Sequence, residues 1–137
     1  MSYKSQSFGA RLKFALAGLG HALRFEPSFR IQCAALLAAC VLLLLARPGA
    51  LWWALVVLAS AAVLAAELLN TAIEQLADLL HPGDSPAVRI LKDCAAGGVL
   101  VAALGALAVA VALAAHLLGA DGCTTIDQLS TLWRALR

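Results

Sequence analysis

Five polar side chains recur at helical spacing inside an otherwise apolar stretch of this chain. They are Glu67, Asn70, Thr71, Glu74 and Asp78. At about 100° per residue, all five project from about one third of a helix circumference, and Leu, Ile and Ala occupy the opposite face. Ionisable residues within a membrane span are costly to bury and by default indicate function. These five residues, called the polar stripe below, are therefore the first candidate for a reactive site.

The spacing along the polar stripe suits group transfer at the edge of a membrane. Glu67 lies about 24 Å beyond Leu51 along a helix axis, which places it near the boundary of the hydrocarbon. A carboxylate there can accept a proton as a general base. Glu74, two turns closer to water, can bind Mg²⁺, which prefers oxygen ligands and phosphates, and Asn70 can orient a phosphate or a carboxylate. The stripe is equally compatible with a polar seam that holds helices together.

Two further charged patches are expected at the same depth. Glu26 precedes the first apolar run and is another candidate Mg²⁺ ligand; its alternative role is an i,i+4 pair with Arg30, worth about 0.2–0.5 kcal/mol. Lys92 and Asp93 open the last apolar run. Lys can neutralise phosphate charge, and Asp can bind a ribose, Mg²⁺ or the lysine itself. The alternative is a cationic membrane anchor beside a helix-start carboxylate. The sequence has no GxxxxGK[ST] loop for a nucleotide.

The elements that position these residues are expected to be membrane helices. Of the 137 residues, 63% are apolar and 13% are charged, against about 25% charged residues in a typical soluble domain. The mean hydropathy is +0.90, and a span requires about 20 mostly apolar residues. The sequence predicts an all-α membrane protein with one domain, residues 1–137. Its predicted parts are an amphipathic surface helix at 5–23, spans at 27–46, 51–80 (with a cytoplasmic extension) and 86–118, and a tail at 119–137.

Positive charge predicts the orientation of these spans. Seven cationic residues precede the first span or lie between the second and third: Lys4, Arg11, Lys13, Arg24, Arg30, Arg89 and Lys92. Three lie on the other side: Arg47, Arg134 and Arg137. The positive-inside rule then places the N-terminus and the 81–93 loop in the cytoplasm, with Trp52 and Trp53 as anchors at the outer interface. No cleaved signal peptide is expected, and a net charge of +2 argues against a nucleic-acid surface.

Cysteines and histidines indicate no further site. The four cysteines have no CxxC spacing, which argues against zinc and thioredoxin-like chemistry. His21, His81 and His116 are not spaced with other ligands, so we expect none of them to bind a metal ion.

The run from Glu67 to Asp78, ELLNTAIEQLAD, resembles the signature of the prokaryotic diacylglycerol kinase family. That signature reads E-x-aliphatic-N-[ST]-[AS]-aliphatic-E-x-x-V-D, and this chain departs from it at Ala77. Two other segments agree with the family: EPSFR at 26–30, and Lys92-Asp93 with the small residues that follow. The resemblance extends over residues 8–118 or so.

This resemblance implies a homotrimeric lipid kinase of the bacterial inner membrane, with active sites shared between subunits on the cytoplasmic side. ATP with Mg²⁺ would donate the phosphoryl group to the hydroxyl of a membrane lipid alcohol. The implied general base is Glu67, and the implied Mg²⁺ ligands are Glu26 and Glu74. The implied ATP contacts are Glu26, Asn70, Glu74, Lys92 and Asp93. The expected lipid contacts are Ser28, Arg30, Glu67 and Ala96, and Asp78 is expected to support the site.

The family divides between diacylglycerol kinases and undecaprenol kinases. We expect diacylglycerol as the acceptor, with undecaprenol as the alternative. The Pro- and Gly-rich loop at 81–86 departs from the family pattern and motivates a different hypothesis, a non-catalytic membrane scaffold with the same fold. A third is a proton or ion conduit that uses Glu67 in an oligomer. Phosphorylation of a lipid by ATP would separate the kinase from the scaffold, and flux across reconstituted vesicles would reveal a conduit.

Overall fold

Four α-helices make up the part of the chain that the structure describes. The computed structural model describes residues 7–83 and 85–135, and the side chains of all of these except 120–132 and 135. The helices are α1 (Phe8–Phe25), α2 (Pro27–Ala46), α3 (Ala50–Leu80) and α4 (Pro86–Ala135). The all-helical fold predicted from composition is confirmed. Helix α3 is central, because it contacts each of the other three.

Three helical segments among the described residues are long and apolar enough to cross a membrane. They are Pro27–Ala46, Ala50–Leu80 and Pro86–Gly119, with mean hydropathies of 2.2, 2.0 and 2.5. The prediction of three apolar spans is therefore confirmed. Many of their large apolar side chains, such as Leu58 and Val101, face outward. Outward-facing apolar side chains are expected of a span, since lipid tails are as apolar as Leu.

Helix α1 is shifted along the chain relative to the surface helix predicted at 5–23. Its first turn is capped by Ser7, whose hydroxyl accepts a hydrogen bond from the backbone N–H of Ala10 at 3.4 Å. Residues 5 and 6 lie outside the described residues. At the other end the helix continues to Phe25, two residues beyond the predicted end.

A single residue, Glu26, forms the corner between α1 and α2. Pro27 disfavours helical backbone in the residue before it, and Glu26 is accordingly extended, with φ −103° and ψ 105°. Its backbone N–H still donates to the carbonyl of Ala22 at 2.9 Å, which closes α1. Pro27 then takes the first position of α2, where no backbone N–H is required. The sequence thus places a carboxylate at the start of α2.

The connection from α2 to α3 is three residues long. Arg47 ends α2 in the left-handed conformation, with φ 48° and ψ 47°, which costs a non-glycine residue about 1–2 kcal/mol. Its N–H donates to the carbonyl of Leu43 at 2.9 Å. Pro48 follows and cannot continue the helix. So short a link makes α2 and α3 antiparallel neighbours.

The tail predicted at 119–137 is not a separate element in its described part. Helix α4 runs without interruption from Pro86 to Ala135, although its apolar section ends at Gly119. The region after Gly119 contains no proline, and an isolated glycine costs a helix only about 1 kcal/mol relative to alanine. The described part of residues 119–137 therefore continues α4. Residues 136 and 137 lie outside the described residues.

An apolar cluster forms where α2, α3 and α4 meet near the start of α3. Its buried members are Leu43, Val56 and Leu113. Partly buried residues pack around them: Ala39, Trp52, Trp53, Val109 and Leu117. The ring of Trp52 lies 5.1 Å from the ring of His116 on α4. We call these residues the Trp52 cluster; the polar stripe begins about three helical turns further along α3.

Candidate active site

The polar stripe passes from buried to exposed along α3. Glu67 and Thr71 are the two buried polar residues among the described side chains, at 6% and 8% exposure. Asn70 and Glu74 are half-buried, and Asp78 is exposed. The five residues therefore share one face of α3, and Glu67 lies at its most enclosed end.

Glu67 is held by a residue of α2. The amide nitrogen Nε2 of Gln32 donates a hydrogen bond to Oε2 of Glu67 at 3.2 Å. The amide oxygen Oε1 of Gln32 is buried and has no partner among the described residues. Gln32 is not among the site residues predicted from the sequence. The signal that could have identified it is an amide side chain within a span, where polar residues are rare and usually functional.

Asn70 and Glu74 form a second pair within the stripe. The amide nitrogen Nδ2 of Asn70 donates to Oε1 of Glu74 at 2.9 Å. The amide oxygen Oδ1 of Asn70 is buried and, within the described part of the chain, has no hydrogen-bond partner. Two of the predicted ATP contacts are thus brought together, and each retains an oxygen that the other does not use.

Lys92 connects the exposed end of the stripe to α4. Its ammonium group forms an ion pair with Oδ1 of Asp78. The two side chains are 33% and 65% exposed, so the pair contributes no more than about 1 kcal/mol to stability. Its consequence is positional, because it brings the cation of α4 to the face of α3 that carries Glu74.

Four other predicted residues make no side-chain hydrogen bond or ion pair within residues 7–83 and 85–135. They are Glu26, Ser28, Arg30 and Asp93. The alternative pair between Glu26 and Arg30 is not formed; these residues share only a backbone hydrogen bond of 3.3 Å. Ala96, the remaining predicted lipid contact, is exposed on α4. The structure therefore brings α3 residues to α2 and α4 but leaves the corner carboxylate without a side-chain partner.

No three His, Cys, Asp or Glu side chains converge on a common point in the described part of the chain. Magnesium does not require such a set, since it usually keeps several waters and is held by one or two carboxylates together with substrate phosphates. The oxygens of Asn70 and Glu74 that remain unpaired are of the hard donor type that this ion prefers. The donor chemistry at the stripe therefore fits Mg²⁺.

Helix α1 is joined to the same part of α3. Nε2 of Gln75 lies 3.3 Å from Nε2 of His21 and hydrogen-bonds to it. A cavity of about 650 Å³ lies between the two helices, and Thr71 is part of its lining. A second cavity, of about 580 Å³, lies between α2, α3 and α4; its lining is apolar apart from Gln32 and Ser60. The first cavity therefore borders the stripe at Thr71, and the second reaches Gln32, the partner of Glu67.

Comparison with known proteins shows which family this chain belongs to. The model of the prokaryotic diacylglycerol kinase family matches residues 13–114, a range that contains the whole polar stripe, Gln32 and Lys92. The chain belongs to the prokaryotic diacylglycerol kinase family. The resemblance expected from the ELLNTAIEQLAD motif is confirmed, and family and apolar helices together make this a membrane protein.

Two relatives carry different substrate names. A diacylglycerol kinase of Synechocystis sp. is 38% identical over 98 residues, which are 71% of this chain and 56% of that protein. An undecaprenol kinase of Bacillus subtilis is 33% identical over 87 residues, which are 64% of this chain and 71% of that protein. The match thus spans little more than half the length of the Synechocystis relative.

Proposed function

We propose that this chain is a lipid kinase that transfers the γ-phosphoryl group of ATP to the hydroxyl of a membrane lipid alcohol. The observation that carries the proposal is Glu67, a carboxylate 6% exposed within an apolar span, with one hydrogen-bond partner on another helix. An ionisable residue in that setting indicates function. The names of the two relatives, diacylglycerol kinase and undecaprenol kinase, support the class of reaction.

In the proposed reaction Glu67 is the general base. The lipid hydroxyl donates to the carboxylate, and its proton passes to Glu67 as the lipid oxygen bonds to the γ-phosphorus. The bond between that phosphorus and the bridging oxygen breaks, and ADP leaves. Oε1 makes no hydrogen bond among the described residues, and it is the oxygen proposed to accept the proton. Burial of Glu67 also keeps water, a competing acceptor, away from the phosphoryl group.

The metal and nucleotide are proposed to bind along the rest of the stripe. Glu74 and Glu26 would hold Mg²⁺, with Asn70 offering its unpaired oxygen to the same site. When bound, Mg²⁺ neutralises the phosphate charge that otherwise repels the nucleophile. Lys92, held by Asp78, adds a positive charge for the phosphates. Asp93 follows Lys92 on α4 and is proposed to contact the nucleotide.

For the acceptor we propose diacylglycerol, with undecaprenol as the alternative. The diacylglycerol kinase relative shares more of this chain, and at higher identity, than the undecaprenol kinase relative does. Ser28 and Arg30, both exposed in the first turn of α2, are proposed to contact the lipid. Ala96 is proposed to do so from α4, one turn beyond Lys92.

A homotrimer in the bacterial inner membrane is the proposed assembly, with shared active sites and the N-terminus in the cytoplasm. Two buried oxygens, on Gln32 and Asn70, have no donor within the described part of one chain. Buried polar atoms normally find partners, which supports a site completed by a substrate or a neighbouring subunit. The distribution of positive charge supports the orientation, and α1 is proposed to lie on the membrane surface.

The proposal is tested with purified protein in mixed micelles, supplied with Mg-ATP labelled at the γ-phosphate. Diacylglycerol and undecaprenol are given separately, and a sample with EDTA is the control for metal dependence. We expect Mg²⁺-dependent label in phosphatidic acid, formed faster than undecaprenyl phosphate. The opposite preference would overturn the choice of acceptor alone. No label in either lipid, from protein that keeps its helix content and oligomeric state, would contradict the kinase and favour the scaffold.

A further inference from the structure

The amide of Gln32 is the one hydrogen-bond partner that Glu67 has among the described residues. We infer that Gln32 is a positioning residue for phosphoryl transfer: it holds Glu67 by one carboxylate oxygen and leaves the other free to take the hydroxyl proton. This inference rests on the function proposed above and deepens it. It adds Gln32, a residue of α2, to a reaction whose proposed general base lies on α3.

The chemistry of the pair fixes how the two groups face each other. An ionised carboxylate accepts hydrogen bonds but cannot donate them, whereas the amide nitrogen of Gln32 donates hydrogen bonds but cannot accept them. Rotating the amide by half a turn would bring its oxygen against the carboxylate, where the two would repel. The orientation with Nε2 on Oε2 of Glu67 is therefore the favourable one. Its consequence is that Oε1 of Gln32 is buried without a partner in the described part of the chain.

That buried oxygen argues against a role in packing alone. An unsatisfied buried acceptor destabilises the folded state, and an apolar side chain at position 32 would avoid this cost. Helices α2 and α3 already meet through Leu43 and Val56 in the Trp52 cluster, so they do not depend on a polar pair for their contact. A glutamine is useful at this place because it can restrict the carboxylate of Glu67.

Restricting Glu67 matters because its carboxylate has no other hydrogen-bond partner among the described residues. Glutamate has several rotatable bonds, and catalysis by a general base requires hydrogen-bond reach to the proton that it removes. Small misplacements of a reacting group reduce rates by up to about 10²-fold. A hydrogen bond from a second helix at 3.2 Å limits the rotamers that Glu67 can adopt.

The chain offers a matched control for this contact. Gln75 also donates its amide to a side chain on another helix, His21, at 3.3 Å, but it is exposed and does not contact Glu67. Gln32→Met and Gln75→Met each remove one interhelical amide and keep a side chain of similar length. Any difference between them reports on the partner of the amide rather than on the loss of a polar group.

The first measurement is steady-state transfer with the better lipid. We expect Gln32→Met to lower kcat by about 10–100-fold while KM for Mg-ATP stays within about twofold of wild type, because the nucleotide contacts are untouched. Gln75→Met should change neither value. In a Glu67→Gln background, Gln32→Met should cause little further loss, since a positioning residue has no effect once the group that it positions is gone.

The second measurement does not depend on turnover. The carboxyl infrared band that disappears in Glu67→Gln belongs to Glu67, and we expect this band to shift in Gln32→Met but not in Gln75→Met. An unshifted band would overturn the contact. A shifted band with unchanged kcat, or a kcat that falls only as far as thermal stability falls, would overturn positioning and favour a polar seam. Wild-type protein that phosphorylates neither lipid would overturn the proposed function, and the positioning role of Gln32 with it, while the band still reports the contact.

Discussion

The two ends of α3 meet their neighbouring helices in different ways. Near its start, the Trp52 cluster joins α2, α3 and α4 by packing of apolar and aromatic side chains. Along the polar stripe and Gln75, α3 instead makes one polar contact to each neighbour. These contacts are Gln32 with Glu67, Lys92 with Asp78, and His21 with Gln75. One end of α3 is held by apolar packing, and the other adds single directional bonds to a packed surface in which Ala77 is also buried.

This difference separates the end of α3 that is held by packing from the end that carries buried polar groups. In lipid, helices associate through packing and interhelical hydrogen bonds rather than through the hydrophobic effect, so both ends can contribute to stability. The stripe end, however, leaves oxygens of Gln32 and Asn70 buried with no partner among the residues that the structure describes. Buried acceptors of this kind are expected where a ligand or another chain supplies the donor. In the function proposed here, the apolar end provides packing and the stripe end provides the reacting groups.

The largest change in phosphoryl transfer is expected from Glu67→Gln, which alters the polar end of α3. Loss of a general base lowers kcat by about 10²–10⁴-fold, while the new amide can still accept a hydrogen bond from Gln32. Phosphoryl transfer to lipid should therefore fall without loss of helix content. Ser60→Ala, which removes a polar group from α3 outside the stripe, is the control. Transfer retained in Glu67→Gln would remove Glu67 from the reaction.

A slightly smaller effect is expected from Glu74→Gln. Outer-shell partners of a metal ligand already contribute about 10–100-fold to affinity or activity, and a direct ligand should contribute at least as much. We expect the Mg²⁺ concentration for half-maximal transfer to rise in this variant, measured by metal titration at saturating ATP. A metal titration curve that coincides with that of wild type would show that Glu74 is not a ligand.

Leu43→Ala tests the apolar end. Leu43 is fully buried in the Trp52 cluster, and its truncation removes packing contacts between α2, α3 and α4. The loss should be smaller than the about 2–5 kcal/mol found in soluble cores, because the apolar side chain does not move into water on unfolding in lipid. Thermal unfolding in micelles measures it, and transfer below the melting temperature should stay near wild type. A Leu43→Ala variant that is inactive but as stable as wild type would contradict the assignment of packing to one end of α3 and reactivity to the other.

The smallest effect is expected from Asp78→Asn. The ion pair with Lys92 is largely exposed, so its loss should change stability by no more than about 1 kcal/mol. If Asp78 positions Lys92 for the phosphates, KM for Mg-ATP should rise a few-fold, and more at low than at high ionic strength because salt screens the pair. An unchanged KM at low salt would limit Asp78 to a surface contact.

Much of this arrangement could be predicted from the sequence. The period of 3.6 residues places Glu67, Asn70 and Glu74 on one face of α3, and the structure confirms that shared face. The start of α2 follows from Pro27. The continuation of α4 beyond Gly119 did not follow from the apolar pattern, which marks only the span.

Interhelical partners were the part that the sequence could not supply. Gln32 lies 35 residues before Glu67, and their contact depends on how α2 and α3 pack. The alternative pair of Glu26 and Arg30 does not form, since the helix starts between them and an exposed pair of this kind contributes little. Local periodicity predicts which face of a helix is polar; the partner of each polar group depends on tertiary packing.

The division of tasks along α3 is tested most directly by comparing Glu67→Gln with Val56→Ala in one experiment. Lipid phosphorylation and melting temperature are measured on the same micellar samples of both variants and wild type. We predict that Glu67→Gln loses transfer and melts like wild type, whereas Val56→Ala melts at a lower temperature and retains transfer while folded. If transfer instead falls in both variants in proportion to the fall in melting temperature, the polar stripe is a structural seam and not the reactive site.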